Sequence, residues 1–257
     1  MIEFADILAF ISGSAVGMVL ALIGGGGSIL ATPALLYVVG VSNPHMAIGT
    51  SALAVSINAF ANLFTHARRG NVKWRCAGVF AASGVVGAGV GAAIGKATSA
   101  DILLPLFAVL MIVIGALMLR PRKDEGNGEV RLSRENAPKL VGFGLGAGAL
   151  SGFFGIGGGF LIVPGLIAAS GMTMLQAIGS SLFSVGAFGA TTAASYAFSN
   201  LVDWRIAGLF IFGGVIGGIM GAGLAEHLAK QRGMLQRVFA GVVFVVAAYM
   251  LYRTLLA

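Results

Sequence analysis

Ile23–Pro33 reads I-G-G-G-G-S-I-L-A-T-P, with four consecutive glycines, Gly24, Gly25, Gly26 and Gly27, set into an apolar run from Phe4 to Gly40. A near copy, G-I-G-G-G-F-L-I-V-P, returns at Gly155–Pro164. Each glycine costs a helix interior about 1 kcal/mol relative to alanine, so four in a row break the helix. Within lipid, broken backbone survives only where protein or a water-lined cavity satisfies its N–H and C=O groups. Two such breaks, one in each half of the chain, point to a site inside a membrane.

The composition around these breaks agrees. Of the 257 residues 58% are hydrophobic and only 10% charged, and the mean hydropathy is +0.96. A soluble domain carries roughly 25% charged residues. The net charge of +7 sits largely in short loops between apolar spans. That placement fits the positive-inside tendency and gives no reason to expect a nucleic-acid partner. A single cysteine, Cys76, excludes an internal disulfide framework and a cysteine-based zinc cluster. The opening M-I-E-F-A-D lacks the basic region of a cleavable signal, so the first apolar stretch is expected to be retained.

About 20 apolar residues cross a bilayer core as helix. Pro44–Ala67, Trp74–Gly95, Ile102–Leu119, Met174–Ser199, Arg205–Leu228 and Met234–Tyr252 each fit one crossing. Segments 4–40 and 140–171 are too long for one crossing and short for two. Each carries its glycine break centrally and reads as a helical hairpin. The stretch from Arg120 to Lys139 is polar and reads as a cytoplasmic linker. The expected organisation is therefore a first transmembrane repeat over 1–119, the linker over 120–139 and a second repeat over 140–257.

The halves are copies. Pro33 matches Pro164, A-I-G-T-S at Ala47–Ser51 matches A-I-G-S-S at Ala177–Ser181, and the two tryptophans lie 204 − 74 = 130 residues apart. Gly78, Gly84, Gly87 and Gly91 match Gly208, Gly214, Gly217 and Gly221. Arg68, Arg69, Lys73 and Arg75 make the first copy's loop basic, whereas the second copy's excess lies one loop later, at Lys230, Arg232 and Arg237. That exchange predicts inverted repeats, each a glycine-broken hairpin plus three spans, with both termini outside. Other glycines recur every fourth residue (Gly87, Gly91, Gly95; Gly144, Gly148, Gly152; Gly213, Gly217, Gly221) and read as helix-packing contacts.

No carboxylate falls in mid-span, which argues against a cation pump or a carboxylate proton relay. The deep polar groups are hydroxyls, amides and glycine backbone, all able to donate to an anion. After Gly27 a helix restarts at Ser28 or Ile29, and after Gly158 another restarts near Gly159. Unpaired first-turn N–H groups and the helix dipole suit such ends to a small oxyanion. The candidate substrate site is therefore Gly24–Ser28 with Gly155, Gly157, Gly158 and Gly159, joined by Thr50, Ser51, Ser180, Ser181 and Asn58. Asn62, Ser184, Thr191 and Thr192 decorate the same spans and read as cavity wall. Arg75 and Arg205 read as interface anchors and His66 as an interface residue. Neither metal nor cofactor is called for, and no H-E-x-x-H or G-x-S-x-G motif suggests an enzyme.

G-x-G-G-G-x-L-x-x-P-x-L at Gly155–Leu166, its variant at Gly24–Leu35, the paired A-I-G-[TS]-S segments and the duplication resemble the TauE/SafE family of sulfite exporters. The resemblance covers nearly the whole chain outside the linker, and the first copy departs by carrying Ser28 where the second has a glycine. It implies a multi-pass protein of the bacterial inner membrane that moves a small sulfur-containing anion such as sulfite, sulfoacetate or isethionate, with export the leading direction. A sulfonate uptake permease and a passive anion channel are the alternatives. Substrate identity, coupling to protons and homo-oligomerisation stay open at this level.

Overall fold

The computed structural model describes residues 3–23, 25–119, 130–156, 159–227 and 232–256, and it is helical throughout. Helix α1 covers Phe4–Ile23 and is followed by an irregular return limb over residues 25–39 that contains the short α2, Ala31–Pro33. Then come α3 (Pro44–Arg68), α4 (Trp74–Ala97) and α5 (Ala100–Leu119). The second half repeats the order as α6 (Ala137–Phe154), α7 (Gly159–Ser170), α8 (Met174–Ala197), α9 (Trp204–His227) and α10 (Arg232–Leu256). Six of the helices are long and apolar enough to cross a membrane. At 1.5 Å per residue the longer spans exceed the roughly 30 Å hydrocarbon core. Local signals set several ends: Asn43 caps α3 ahead of Pro44, and Thr173 caps α8.

The two return limbs differ. The first winds as a tight 3₁₀ helix over Gly25–Leu30, passes through α2, and widens into a π-helix over Ala34–Val39 that left-handed Gly40 ends. Glycine holds an α-helix poorly, and Pro33, lacking an N–H, stands where the narrow winding gives way to the wide one. The second limb is the regular helix α7, which accommodates Pro164. Both copies form a glycine-broken helical hairpin as expected, and only the second has a regular α-helix as its return limb.

Packing joins the halves rather than separating them. Helix α1 lies along α9, and α6 along α4. A Cβ added at Gly13 or Gly17 would strike the carbonyls of Phe210 and Gly214, and one at Gly213 or Gly217 those of Phe10 and Ser14. In the matching pair, Gly144, Gly148 and Gly152 lie on the carbonyls of Phe80, Gly84 and Ala88, while Gly87, Gly91 and Gly95 lie on those of Leu145, Ala149 and Phe153. Lipid supplies no hydrophobic drive between helices, so backbone approach over small residues takes its place.

Residue numbers rise together along both pairs, so each pair is parallel. Helices α3 and α8 cross antiparallel, and at the crossing Ser56 Oγ donates to the carbonyl of Gly186 at 2.7 Å, a residue 130 positions on. The crossing thus joins matched positions of the two copies. Helix α3 runs parallel to α9 through the contacts of Thr50 with Asp203 and Asn58 with Gly214. Helix α8 runs parallel to α4 through Phe188 on Gly84 and Ser195 on Lys96. Helices α1, α3 and α9 therefore point one way and α6, α8 and α4 the other, so that every matched pair among them is opposed.

If backbone contact holds α4 to α6, adding a side chain there should prevent assembly. Gly148→Val is expected to abolish a monodisperse peak in fluorescence-detected size exclusion. Gly146→Ala, two residues away with nothing within 4 Å of its added Cβ, should leave that peak unchanged.

Candidate functional site

Both turns lie inside the bundle. Gly27, Ser28 and Ile29 are buried on the first, as are Gly155, Ile156 and Gly159 on the second. The first limb, Gly25–Leu30, packs against α7 and touches α8. Gly155 takes a left-handed conformation (φ 67°) against the Ile48 side chain, a position where an added Cβ would be strained and crowded. Gly24, Gly157 and Gly158 lie outside the described residues, and Gly25 and Gly26 form the start of the 3₁₀ segment.

One hydroxyl ties the turns together. Ser51 Oγ lies 2.8 Å from Thr32 Oγ1 on the first return limb and 3.4 Å from the Gly155 carbonyl on the second turn. It also donates to the carbonyl of Ile48 at 2.9 Å. The second turn therefore sits level with Thr32, five residues past the first glycine run. Ser181, the match of Ser51, donates back to Ile178 at 2.8 Å. The residue matching Thr32 is Val163, so this polar bridge belongs to the first copy.

Thr50 and Ser180 each hold an incoming loop. The Asp203 N–H donates to Thr50 Oγ1 and the Lys73 N–H to Ser180 Oγ, both at 2.9 Å. In each A-I-G-[TS]-S segment the preceding glycine lets the incoming loop lie close: Gly49 meets the Leu201 carbonyl and Gly179 that of Asn71. The motif thus fixes the loop that starts α9 or α4 onto the end of the crossing pair. Each hydroxyl accepts the N–H of the residue that leads into a helix of the other half, which is capping from a distance.

Asn58 is 1% exposed, and neither amide atom has a hydrogen-bond partner. Its side chain rests over Gly214, while Asn62 Nδ2 donates to the Asn58 carbonyl at 3.0 Å. The matching residue, Phe188, rests over Gly84 and stacks on Phe80 at 6.3 Å. One flank of the crossing is therefore polar and the other aromatic.

Among the described helices every carboxylate sits in a first or last turn. Arg205, expected to be an interface anchor, pairs with Asp6 and stands 3.7 Å from Glu3. The parallel run of α1 beside α9 brings their first turns level, which lets this ion pair form. Lys96 Nζ donates to the Ser195 carbonyl at 2.8 Å and to Ser199 Oγ at 3.1 Å, closing the end of α8. Ser151 and Thr32 carry no motif and went unmarked in the sequence. Ser151 is fully buried in the last turn of α6, with an unpaired hydroxyl.

A bundle of apolar spans enclosing two broken helices beside buried hydroxyls and amides defines a multi-pass membrane transporter. The chain belongs to the TauE/SafE family, for the family model described as sulfite exporter TauE/SafE matches residues 9–250. It is 51% identical over 248 residues to a probable membrane transporter protein of Xylella fastidiosa (strain Temecula1 / ATCC 700964), covering 95% of this chain and 94% of that one. It is 26% identical over 269 residues to the probable membrane transporter protein YunE of Bacillus subtilis (strain 168), covering 96% and 97%. No solved structure matches it.

The distant caps set a stability expectation. Thr50→Ala and Ser180→Ala should each cost about 1 kcal/mol, the usual worth of a helix-capping hydroxyl, whereas Thr50→Ser should cost little. Thermal melts of the detergent-solubilised protein check this, with equal downward shifts expected for the two alanine variants.

Proposed function

We propose that this protein exports a small sulfur oxyanion or organosulfonate, of the sulfite, sulfoacetate or isethionate class, across the cell membrane by alternating access. The observation that carries the reading is the burial of the described residues of both glycine turns, linked through Thr32, Ser51 and Gly155. Backbone amides at the start of α7, with hydroxyls around them, suit a ligand that only accepts hydrogen bonds. The family's description supplies the sulfur chemistry.

The opposed directions of matched helices support insertion as inverted repeats. The moving bodies are then mixed ones. Helices α1, α3 and α9 draw on both halves, as do α4, α6 and α8, and the two sets meet at the Ser56–Gly186 crossing. Access would alternate as these sets rock about that crossing, and the sequence halves would not move as units.

Purified protein in proteoliposomes tests the transport reading. Sulfite-loaded vesicles should exchange labelled sulfite with saturable kinetics and accumulate it against its gradient when a proton gradient is imposed. Flux that rises linearly and never runs uphill would make the protein a channel. Flux of sulfite, sulfoacetate and isethionate equal to that of protein-free vesicles would refute transport of this class.

A further inference from the structure

Hydroxyls in these spans find partners across the bundle, as Thr32, Thr50, Ser56 and Ser180 do, or in their own helix. Ser51, Ser83, Ser170, Ser181, Thr191 and Thr192 each donate to a carbonyl three or four residues earlier. Ser151 and Ser184 depart from this habit, for both are fully buried and neither hydroxyl has a partner. A buried hydroxyl left unpaired costs about 1 to 3 kcal/mol.

The two serines occupy different surroundings. Ser184 lies one turn from both Ser180 and Phe188, which contact the start of α4 and its Gly84, so it faces α4. Its match in the first copy is Ala54, an ordinary packing residue. Ser151 lies on the inward stripe of α6 with buried Leu140, Ala147 and Phe154. Its carbonyl accepts the N–H groups of Gly155 and Ile156, so it forms the base of the second turn. The matching residue at the first turn is Leu20, whose backbone lies against Gly27. Where the first turn is backed by a large apolar side chain, the second has a short one ending in an O–H. The helix that follows also differs: α7 is a regular helix of 12 residues, whereas the first limb starts as a 3₁₀ helix.

We infer that the two turns are not equivalent and that the second holds the anion, with Ser151 donating its hydroxyl hydrogen to an oxyanion seated at the amino end of α7. This rests on the oxyanion-transport reading and adds to it a ligand residue and a location. The first turn then serves to brace the site through Thr32 and Ser51. A hydrogen bond to a charged acceptor is among the stronger ones, which makes the hydroxyl's loss measurable.

Sulfite is the probe, with transport by wild type, Ser151→Ala, Ser151→Thr and Ser184→Ala measured in proteoliposomes beside thermal melts with and without sulfite. Ser151→Ala should raise KM for sulfite about tenfold or more and lose most of the sulfite-induced melting shift. Its ligand-free melting temperature should hold or rise, because an unpaired polar group has been removed. Ser151→Thr keeps the hydroxyl and should retain part of the affinity. Ser184→Ala should leave KM within about twofold of wild type, a change too small for loss of a ligand hydrogen bond. If wild type transports sulfite while Ser151→Ala keeps an unchanged KM and melting shift, the assignment of Ser151 is overturned alone. A fall in ligand-free stability with unchanged affinity would make Ser151 structural and overturn it equally. If wild type moves only sulfoacetate or isethionate, the same comparison with that solute decides the assignment; wild type inert to all three would overturn the parent reading, and this assignment with it.

Discussion

Glycine-to-carbonyl contact between parallel helices from opposite halves carries the arrangement. Helices α1 and α6 each end at a broken turn, and each is gripped along its length by a helix of the other half. Contacts of a glycine Cα with a facing carbonyl contribute about 0.5 to 1 kcal/mol apiece, and a ladder of them replaces the hydrophobic drive that lipid withholds. The grip fixes where each helix stops, and so where its unpaired backbone lies. Without it, a glycine run in lipid would leave polar groups unsatisfied at several kcal/mol each. The loops that start α4 and α9 are set by the same logic, with Gly179 and Gly49 admitting their carbonyls and Ser180 and Thr50 their N–H groups.

Duplication gives two of everything, and the interior has since diverged. Thr32 faces Ser51, whereas its counterpart Val163 offers no hydroxyl; Asn58 has Phe188 as its match, and Ser151 has Leu20. What remained alike is what holds the fold: packing glycines, capping hydroxyls and the crossing at Ser56 and Gly186. What diverged is the chemistry lining the turns. A small solute with one charged end has no use for two identical seats, and the differences concentrate where such a seat would be.

Much of the fold could be read from the chain. The spans from Pro44, Trp74 and Met174 begin where sequence reasoning puts them, and the one expected from Arg205 begins one residue earlier, at Trp204, because proline, tryptophan and capping residues mark interfaces and helix starts. The fourfold glycine spacing correctly marks packing faces, though it cannot name the partner helix, and the exchange of partners between halves comes only from the structure. The ion pair of Arg205 with Asp6 joins residues 199 apart and depends on that exchange. The paired hydroxyl motif reads as a ligand or capping group, and Thr50 and Ser180 accept backbone N–H groups from across the bundle, partners that no local pattern names. Ser151 stood unnoticed because one serine among Gly148, Leu150 and Gly152 looks like another small packing residue. Only the absence of a partner for its hydroxyl sets it apart.

The location of the bound anion is the most direct test of this account. Selenite, a heavier analogue of sulfite, can be placed by anomalous diffraction at the selenium edge from crystals of the purified protein. The expected result is one selenium peak inside the bundle, within hydrogen-bond reach of Ser151 Oγ and the first N–H groups of α7. A peak at the bundle's outer surface, or one seated at the first turn with the second vacant, would contradict it.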